Sequence, residues 1–527
     1  MAQETQKKKT SFFVYVLVIA LFVRGGVLFF SLNSFDADPD AYRALAENIY
    51  SYGVFGEKEV ATAFRPPLYP ATLAALIPLQ NSDDRPARVN RVARVDSLRA
   101  TSEMEKRRHT LIDKLALSRN ASIALWHWIL GVATVTFTYA GARKLGLSEP
   151  LASLAALLVA VDPILLQQSR LVMTETLAAF FAAALLFATI LVVQRRPMKK
   201  SSCARYLMLG ALYGLSTLCR PAFWVFAALA LLNLILLELL DCRKKRAAIN
   251  VLNGDSQSSE PTRRSGGLAR IVAFLLGVAC LSAPWCARNY RAFGKPILTT
   301  THGGYTLLLA NNPELYHHYA TASSPLALWN PDEFFERNRR ECDEAVKQAN
   351  VSSPKERELF QDEWSRRYAI DTIKAQPEMF AYSCFIRIAE LWRALPNDVE
   401  RTTQPIARER DRGVLPIKFN SAELKDQARY AVAAFYLVEF FVAVVGCAKL
   451  YCARRRNPNK SPIASSPYLW GFLLVLSVQI PHLVYWTNMR MRAPIEVFLP
   501  VLASLALASM RNLDNTHKTK SSQNEQN

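Results

Sequence analysis

The sequence predicts an all-α polytopic membrane protein with about ten or more transmembrane helices, outer interfacial helices and an extracytoplasmic cap region. The chain has 527 residues, of which 51% are hydrophobic and 10% aromatic. Apolar stretches recur along it, and several reach the roughly 20 residues needed to cross a bilayer. Clusters of basic residues separate these stretches at alternate ends, as expected of cytoplasmic loops.

Ten apolar stretches are the candidate spans. They lie near residues 12–32, 121–142, 150–168, 172–193, 206–219, 221–240, 269–287, 430–450, 467–486 and 493–510. Two of them, 150–168 and 206–219, are short for a span. The first stretch has a basic start but no small-residue cleavage site, so we interpret it as a permanent anchor. The amphipathic piece 68–79 is either a further span or a helix at the membrane surface.

The basic clusters set the predicted orientation. They include Lys7–Lys9, Arg143–Lys144, Arg195–Arg196, Arg243–Arg246 and Arg454–Arg456. Placing them all in the cytoplasm satisfies the positive-inside rule and brings both termini inside. The net charge of +20 then mostly reports topology, and basic runs scattered over short loops argue against nucleic acid as a partner.

This topology divides the chain into four parts. They are an N-terminal transmembrane catalytic module (1–288), an extracytoplasmic region (289–429), C-terminal transmembrane helices (430–511) and a cytoplasmic tail (512–527). The first part contains an outer loop, 33–119, with a charged insert at 81–118. The nine cysteines show no C-x-x-C spacing, and the sequence leaves open whether Cys342 and Cys384 pair.

The outer loop opens with acids directly after the first span, in "FDADPDAYRALAENIYSYGVFG". Helical spacing begins after Pro39, which would make Asp38 the N-cap of a surface helix. The alternative role for Asp38 is to accept a proton from a substrate hydroxyl, with Asp40 as the reserve and Tyr42 positioning the substrate. The D-x-D spacing also occurs in metal-dependent sugar transferases, but so short a match is common and weak, and it leaves dependence on a divalent metal open.

Charged residues also stand at the outer ends of later spans. In "RPPLYP", Arg65 offers a planar fork of donors to a lipid phosphate, or else it snorkels to headgroups; Tyr69 in the same motif is a candidate for positioning the substrate. Glu175 opens an apolar helix, which is costly unless it faces water or a partner, although it also suits a helix N-terminus. We predict Asp38, Asp40 and Glu175 as the catalytic acids.

Further arginines occupy the same side. The predicted phosphate-binding set is Arg65, Arg170, Arg220, Arg288, Arg490 and Arg492, with Asn289 as a positioning residue. The positive-inside rule predicts few basic residues in short outer turns. An arginine at nearly every outer helix end therefore indicates a bound anion.

The order of these motifs resembles the bacterial integral-membrane glycosyltransferases related to dolichyl-phosphate-mannose protein mannosyltransferases and to the lipid A aminoarabinose transferase, which share the GT-C fold. The motifs are "D-x-D-x-Y-x-x-L-A", "RPPLYP", "SRLVMTE", "CRP", "PWCARNYRAFG", "NNP" and "RMRAPIE". The resemblance covers most of the chain except 81–118 and about 320–428.

The resemblance implies transfer of a hexose or pentose from a polyprenyl-phosphate donor to a hydroxyl acceptor, with inversion, at the outer face of a bacterial inner membrane. It implies that Asp38 is the essential acid, that Arg65 and Arg490, less clearly Arg492, contact the donor, and that Glu175 is the second acid. Relatives often have Asp-Glu where this chain has Asp38-Pro39, so Asp40 shares the role. The acceptor is a lipid, a protein or a polysaccharide.

Two other classes of function fit parts of the pattern. A transporter or flippase of lipid-linked saccharides would place ionisable residues at the bilayer midplane and show repeats between its halves. A non-catalytic protein of cell-envelope assembly would use 289–429 to bind a partner. The sequence indicates no certain cofactor, and it leaves the sugar, the acceptor, the role of the insert and the oligomeric state open.

Overall fold

The computed structural model describes residues 11–81, 84–86, 117–194, 202–252, 265–324, 326–397, 422–456 and 462–508. These residues are mostly helical, which confirms the all-α class. Most of the insert at 81–118 lies outside them, as do residues 398–421, the basic N-terminus and the 512–527 tail. A hairpin of two short antiparallel strands, β1 (Gly56–Glu57) and β2 (Val60–Ala61), is the sheet in the described ranges.

The N-terminal half contains ten helices within the described ranges. They are α1 (Phe12–Phe29), α2 (Tyr42–Tyr52), α3 (Leu68–Leu76), α4 (Arg119–Lys144), α5 (Glu149–Val161), α6 (Pro163–Gln168), α7 (Glu175–Gln194), α8 (Ser202–Thr217), α9 (Ala222–Leu252) and α10 (Ser265–Phe293). Short 3-10 turns at Leu32–Asp36 and Ile77–Leu79 flank α2 and α3.

The C-terminal half continues with helices of mixed length. They are α11 (Gly303–Ala310), α12 (Pro313–Thr321), α13 (Asp332–Gln348), α14 (Pro354–Ala375), α15 (Pro377–Leu391), α16 (Ala422–Arg455), α17 (Leu469–His482) and α18 (Leu499–Ala506). Further 3-10 turns occur at Ile463–Ser465 and Met489–Arg492.

Six of these helices are long and apolar enough to cross a membrane by length and composition. They lie at Phe12–Phe29, Arg119–Lys144, Glu175–Gln194, Ala222–Arg243, Gly266–Phe293 and Glu423–Arg455. The helices Leu68–Leu79, Glu149–Val161 and Leu469–His482 are apolar but shorter. The predicted number of ten spans is therefore not confirmed, and it stays a prediction.

The predicted span 150–168 is broken at Asp162, where α5 ends and α6 begins. Asp162 has a non-helical backbone, its Oδ1 accepts from the Leu165 N–H at 2.7 Å, and a proline follows at the first position of α6. These are the features of a helix N-cap. The Ile164 N–H donates to the Tyr436 hydroxyl of α16 at 2.9 Å, and the Arg24 guanidinium of α1 donates to the Val159 carbonyl at 2.6 Å.

The helices α8 and α10 pack with their backbones in contact. A β-carbon placed on Gly210 would lie 2.0 Å from the Phe274 carbonyl oxygen, and one on Gly277 would lie 2.1 Å from the Leu207 carbonyl oxygen. Glycine permits such a close approach, a common feature of helix pairs in membranes. The main apolar core runs through these helices and through α1, α4, α5, α7, α9, α16, α17 and α18.

The region after α10 contacts the loop that follows α2. Glu358 of α14 accepts hydrogen bonds from the Thr62 hydroxyl at 2.7 Å, the Ala63 N–H at 2.8 Å and the Thr301 hydroxyl at 2.5 Å. The Thr301 N–H also donates to the Ala63 carbonyl at 3.0 Å. One carboxylate thus joins the loop after α2 to the segment before α11. Cys342 and Cys384 do not form a disulfide.

Candidate functional site

Asp38 stands just ahead of α2, and its two carboxylate oxygens have different surroundings. Its Oδ2 accepts from the backbone N–H groups of Arg43 and Ala44, both at 3.0 Å. Its Oδ1 is buried and receives no hydrogen bond from the part of the chain that the structure describes. Hydrogen bonds to Oδ2 therefore hold the side chain, and Oδ1 is left available to accept a hydrogen bond.

Asp38 accepts hydrogen bonds from the first turn of α2, as a capping residue does, but it does not occupy the predicted N-cap position. The helix begins at Tyr42, so Ala41 occupies the N-cap position and Pro39 lies outside the helix. Ala41 has φ 57°, a left-handed conformation that costs an L-residue about 1–2 kcal/mol. The two hydrogen bonds to Asp38 Oδ2 hold the chain in this turn, and strained backbone of this kind is frequent at functional sites.

Asp40 forms an ion pair with Arg65, which the sequence had placed in separate roles. The Arg65 Nη2 lies 2.7 Å from Asp40 Oδ1, and the two side chains are 17% and 22% exposed. The Arg65 guanidinium also stacks near the rings of Tyr42 and Phe64, 5.7 and 5.1 Å from their centroids. Its orientation is therefore fixed by an acid and two aromatic rings.

Tyr42 and Tyr69 lie side by side near these acids. Their ring centroids are 5.3 Å apart in an edge-to-face arrangement, and both are buried. The Tyr69 hydroxyl lies 2.9 Å from His127 Nε2, and His127 Nδ1 lies 2.7 Å from the Ser169 carbonyl oxygen. Because a carbonyl oxygen only accepts, Nδ1 of the neutral ring carries the proton and Nε2 accepts from Tyr69.

Glu175 lies between two arginines at the start of α7. Its Oε1 is 3.7 Å from Arg220 Nη1 and 3.9 Å from Arg490 Nε, and the Glu175 side chain is 1% exposed. Arg220 Nη2 contacts the Met491 sulfur at 2.8 Å, and Arg490 Nη1 contacts the Met173 sulfur at 3.0 Å. Two guanidiniums therefore flank one carboxylate, and the thioethers that they also contact are weak acceptors.

The two groups of charged residues meet around Tyr42. Its hydroxyl lies within electrostatic reach of Arg65 and Asp40, and also of Glu175 and Arg220. Tyr69 lies within such reach of Asp38, Tyr42 and Glu175. Burial raises the pKa of Tyr42, which keeps its hydroxyl neutral. The predicted residues Asp38, Asp40, Tyr42, Arg65, Tyr69, Glu175, Arg220 and Arg490 therefore form one cluster.

The other predicted residues have different contacts. Arg288 donates to the Thr62 and Phe55 carbonyls at 2.7 and 2.6 Å, and its Nη1 also reaches Asn289 Oδ1 at 2.9 Å. Asn289 in turn donates to the Ile297 carbonyl. These contacts fix the hairpin and the following loop to α10. They use three of the five N–H donors of the Arg288 guanidinium.

Arg170 and Arg492 are the remaining two. Arg170 donates to the Ser34 hydroxyl at 3.1 Å, which ties the end of α6 to the turn before Asp38. Arg492 is 0% exposed, forms an ion pair with Glu496 and donates to the Leu391 and Arg393 carbonyls at 2.8 and 2.9 Å. Of the late arginines, Arg490 therefore belongs to the cluster around Tyr42, and Arg492 belongs to a separate buried group.

Several residues of the structure were missed in the sequence. His127 lies within an apolar stretch and the methionines Met173 and Met491 lie near arginines, but none of the three belongs to a motif whose spacing indicates a site. A signal does exist for three acids that lie inside apolar stretches, where an acid is costly: Asp162, Glu439 and Glu496. Their carboxylate oxygens lie within 4.8 Å of one another, whereas the acids of the D-x-D motif form no such triad in the described ranges.

Comparison with known proteins gives one family match. Residues 113–252 match the family described as dolichyl-phosphate-mannose-protein mannosyltransferase, which is about a quarter of the chain and includes α4 to α9. Glu175 and Arg220 lie within the matched range, whereas Asp38, Arg65 and Arg490 lie outside it. No curated protein sequence matches the chain.

Solved structures show a distant likeness. An archaeal oligosaccharyltransferase, AglB from Archaeoglobus fulgidus in complex with an inhibitory peptide and a dolichol-phosphate, is 13% identical with a TM-score of 0.45, over 97% of this chain and 52% of that one. The same organism's oligosaccharyltransferase in complex with Zn and sulfate is 16% identical with a TM-score of 0.45, over 95% and 49%. The chain thus spans about half the length of these structures.

Likeness at this level of identity does not indicate a shared activity. The family match rests on sequence and coincides with the resemblance drawn from the motifs. Residues 113–252 are therefore similar to the dolichyl-phosphate-mannose-protein mannosyltransferase family.

Proposed function

We propose that this protein is a membrane glycosyltransferase that moves a sugar from a polyprenyl-phosphate donor to a hydroxyl acceptor, with inversion and with Asp38 as the general base. One observation carries the proposal. Asp38 Oδ1 receives no hydrogen bond from the described residues, while Oδ2 is anchored by two backbone N–H groups. A carboxylate held in this way is oriented to accept a proton.

The family match supports the class of reaction. Its name describes transfer of mannose from a lipid-linked phosphate to protein, and the matched range includes Glu175 and Arg220. Glycosyl transfer from a lipid-linked donor requires a base, an anion site and a membrane setting. The cluster around Tyr42 supplies the first two, and the six long apolar helices supply the third.

In the proposed reaction, the acceptor oxygen attacks the anomeric carbon of the donor from the face opposite to the phosphate. As this bond forms, the acceptor proton passes to Asp38 Oδ1 and the bond between the sugar and the phosphate oxygen breaks. Polyprenyl phosphate leaves with the electron pair of that bond. General-base catalysis of this kind typically contributes about 10²–10⁴-fold.

Arg220 and Arg490 are the proposed phosphate-binding pair, because their two guanidiniums converge on the single carboxylate of Glu175. A phosphate oxygen is a stronger acceptor than the methionine sulfurs they now contact. Arg65 is proposed to bind the phosphate as well, in competition with Asp40, which now pairs with the Arg65 guanidinium. Glu175 then orients the two arginines, and its carboxylate is placed to accept a hydrogen bond from a sugar hydroxyl.

The site is proposed to face the extracytoplasmic side of the inner membrane, as the basic clusters predict. Asp38 directly follows α1 and the short turn after it, so it lies close to one end of a candidate span. A lipid-linked donor has its phosphate at headgroup depth. The base and the arginines would therefore meet the donor at that depth.

The direct test is release of polyprenyl phosphate from a labelled polyprenyl-phosphate sugar by the purified protein in detergent, with a mixture of envelope lipids, glycans and peptides as acceptor. We expect release that depends on acceptor and is lost in Asp38→Asn but kept in Asp36→Asn. Asp36 is the matched control because it is exposed and bonded to Asn120 at 2.9 Å. Absence of release by the wild-type protein with all three acceptor classes would refute the proposal.

A transporter of lipid-linked saccharides is the second candidate, and one observation favours it. Asp162, Glu439, Glu496 and Arg492 are buried among apolar helices, a feature that the transporter alternative predicts. Reconstituted vesicles distinguish the two functions. A transporter would move labelled donor between leaflets without cleaving it, and Asp38→Asn would leave that movement unchanged.

A further inference from the structure

A second group of acids is buried where three segments of the chain meet, away from Asp38. Asp162 lies between α5 and α6, Glu439 lies in α16, and Glu496 follows the turn Met489–Arg492. Their side chains are 0%, 4% and 0% exposed. One carboxylate oxygen from each lies within 4.8 Å of the other two.

Hydrogen bonds satisfy this group only in part. Asp162 accepts from the Leu165 N–H at 2.7 Å and from the Tyr436 hydroxyl at 3.2 Å. Glu496 Oε1 pairs with Arg492, but its Oε2 receives no hydrogen bond from the described residues. Neither oxygen of Glu439 receives one within those ranges. Glu439 is thus a buried carboxylate of the group to which no described residue donates a hydrogen bond.

Within the described ranges the group has little positive charge. There, three carboxylates face one guanidinium in direct contact, that of Arg492. Arg24 is within electrostatic reach of Asp162, but it donates to the Val159 carbonyl in the last turn of α5, where the helix carries negative partial charge. Buried carboxylates without compensation are strongly unfavourable. The group therefore requires additional positive charge.

We propose that Asp162, Glu439 and Glu496 bind one hard divalent cation, for which Ca²⁺ is the best match. All the donors offered are oxygens, which Ca²⁺, Mg²⁺ and Mn²⁺ prefer. Calcium–oxygen bonds are about 2.3–2.6 Å long, so a single Ca²⁺ can contact oxygens that lie up to 4.8 Å apart. Mg²⁺ demands near-octahedral geometry and usually keeps several bound waters, whereas Ca²⁺ accepts the irregular geometry of three carboxylates on separate segments. The cation would neutralise negative charge on the Glu439 carboxylate and on Glu496 Oε2 at the same time.

Such a cation would join segments that are distant in sequence. Asp162 is adjacent to the break between α5 and α6, and Glu439 belongs to α16. Glu496 follows the turn that carries Arg490, whose guanidinium faces Glu175. The cation would therefore fix the base of the turn that presents Arg490.

The experiment measures bound calcium in the purified full-length protein. After treatment with EGTA, the protein is equilibrated with CaCl₂ at a series of concentrations, and bound calcium is measured by equilibrium dialysis with radioactive Ca²⁺. We expect about one Ca²⁺ per chain in the wild type and at least a tenfold weaker affinity in Glu439→Gln. Glu423→Gln is the matched control, because Glu423 is an exposed acid of the same helix.

Two further measurements keep the result unambiguous. Asp38→Asn must retain the calcium, which excludes binding at the D-x-D acids. Thermal unfolding with and without CaCl₂ must show stabilisation of the wild type and of Glu423→Gln that Glu439→Gln lacks. The proposal is overturned if the wild type binds no more Ca²⁺ than Glu439→Gln, or if Ca²⁺ leaves its unfolding temperature unchanged. In either case protons, rather than a cation, neutralise the acids.

Discussion

Replacing Asp38 by asparagine separates the two roles of this side chain. The structure assigns Oδ2 to two backbone N–H groups and leaves Oδ1 without a donor in the described ranges. An asparagine amide has one accepting oxygen and one donating nitrogen. The oxygen is retained opposite the N–H groups of Arg43 and Ala44, which places the NH₂ group where Oδ1 was. The substitution therefore keeps the cap and removes the proton acceptor.

The expected magnitudes differ widely. Asparagine and aspartate are about equally good caps, so we expect a stability change well under about 1 kcal/mol. Loss of a general base lowers turnover by about 10²–10⁴-fold, which corresponds to roughly 3–5 kcal/mol of barrier. The assay is release of polyprenyl phosphate at saturating donor, together with thermal unfolding of the same sample.

Asp38→Ala serves as the comparison, because it removes both roles. We expect it to lose about 1 kcal/mol of stability as well as activity, since the amides at the start of α2 lose their acceptor. Wild-type turnover by a normally folded Asp38→Asn would refute the assignment of the base. In that case Asp40 and Glu175 become the candidates.

Three further predictions concern the surroundings of the site. Arg65→Ala should weaken donor binding by a charge-assisted hydrogen bond, about 1.5–3 kcal/mol, and Arg65→Lys should recover part of it; equal donor affinity in all three proteins would contradict a donor contact. Glu358→Ala should destabilise the protein by about 1–3 kcal/mol, because Thr62, Ala63 and Thr301 lose their acceptor; an unchanged unfolding temperature would contradict this. In intact cells, an impermeant thiol reagent should label a cysteine at 330 and not one at 458, and the reverse result would overturn the orientation.

The sequence was sufficient for the class of fold and for most of the residues around Tyr42. Long apolar runs dictate helices whatever their neighbours, so α1, α4, α7, α9, α10 and α16 follow from composition alone. Charged residues at the ends of such runs are costly, which is why Glu175, Arg220 and Arg490 stood out.

The pairing of these residues could not be read from the sequence. The ion pair of Arg65 with Asp40 joins positions 25 residues apart, and Arg490 meets Glu175 across more than half of the chain. Neither contact follows from local spacing. The backbone contacts of Arg288 and Arg492 could not be predicted either, because an arginine that donates to carbonyls has the same sequence signature as one that binds a phosphate.

Local rules also misplaced the start of α2. Pro39 favours the first turn of a helix, but Ala41 adopts a left-handed conformation and moves the start to Tyr42. A proline therefore predicted a helix nearby without fixing its first residue. The hydrogen bonds of Asp38 to two amides, which settle the register, depend on three-dimensional closure of the loop.

The break at Asp162 has a consequence for how the protein is made. A helix of 13 residues such as α5 is about 20 Å long, which is shorter than the roughly 30 Å hydrocarbon layer. The amide of Ile164 beyond the break depends on the Tyr436 hydroxyl, which is synthesised 272 residues later. The segment from α5 to α6 therefore cannot complete its hydrogen bonding during translation of the N-terminal half, and a truncated chain that ends before α16 should be a preferred substrate of membrane quality control.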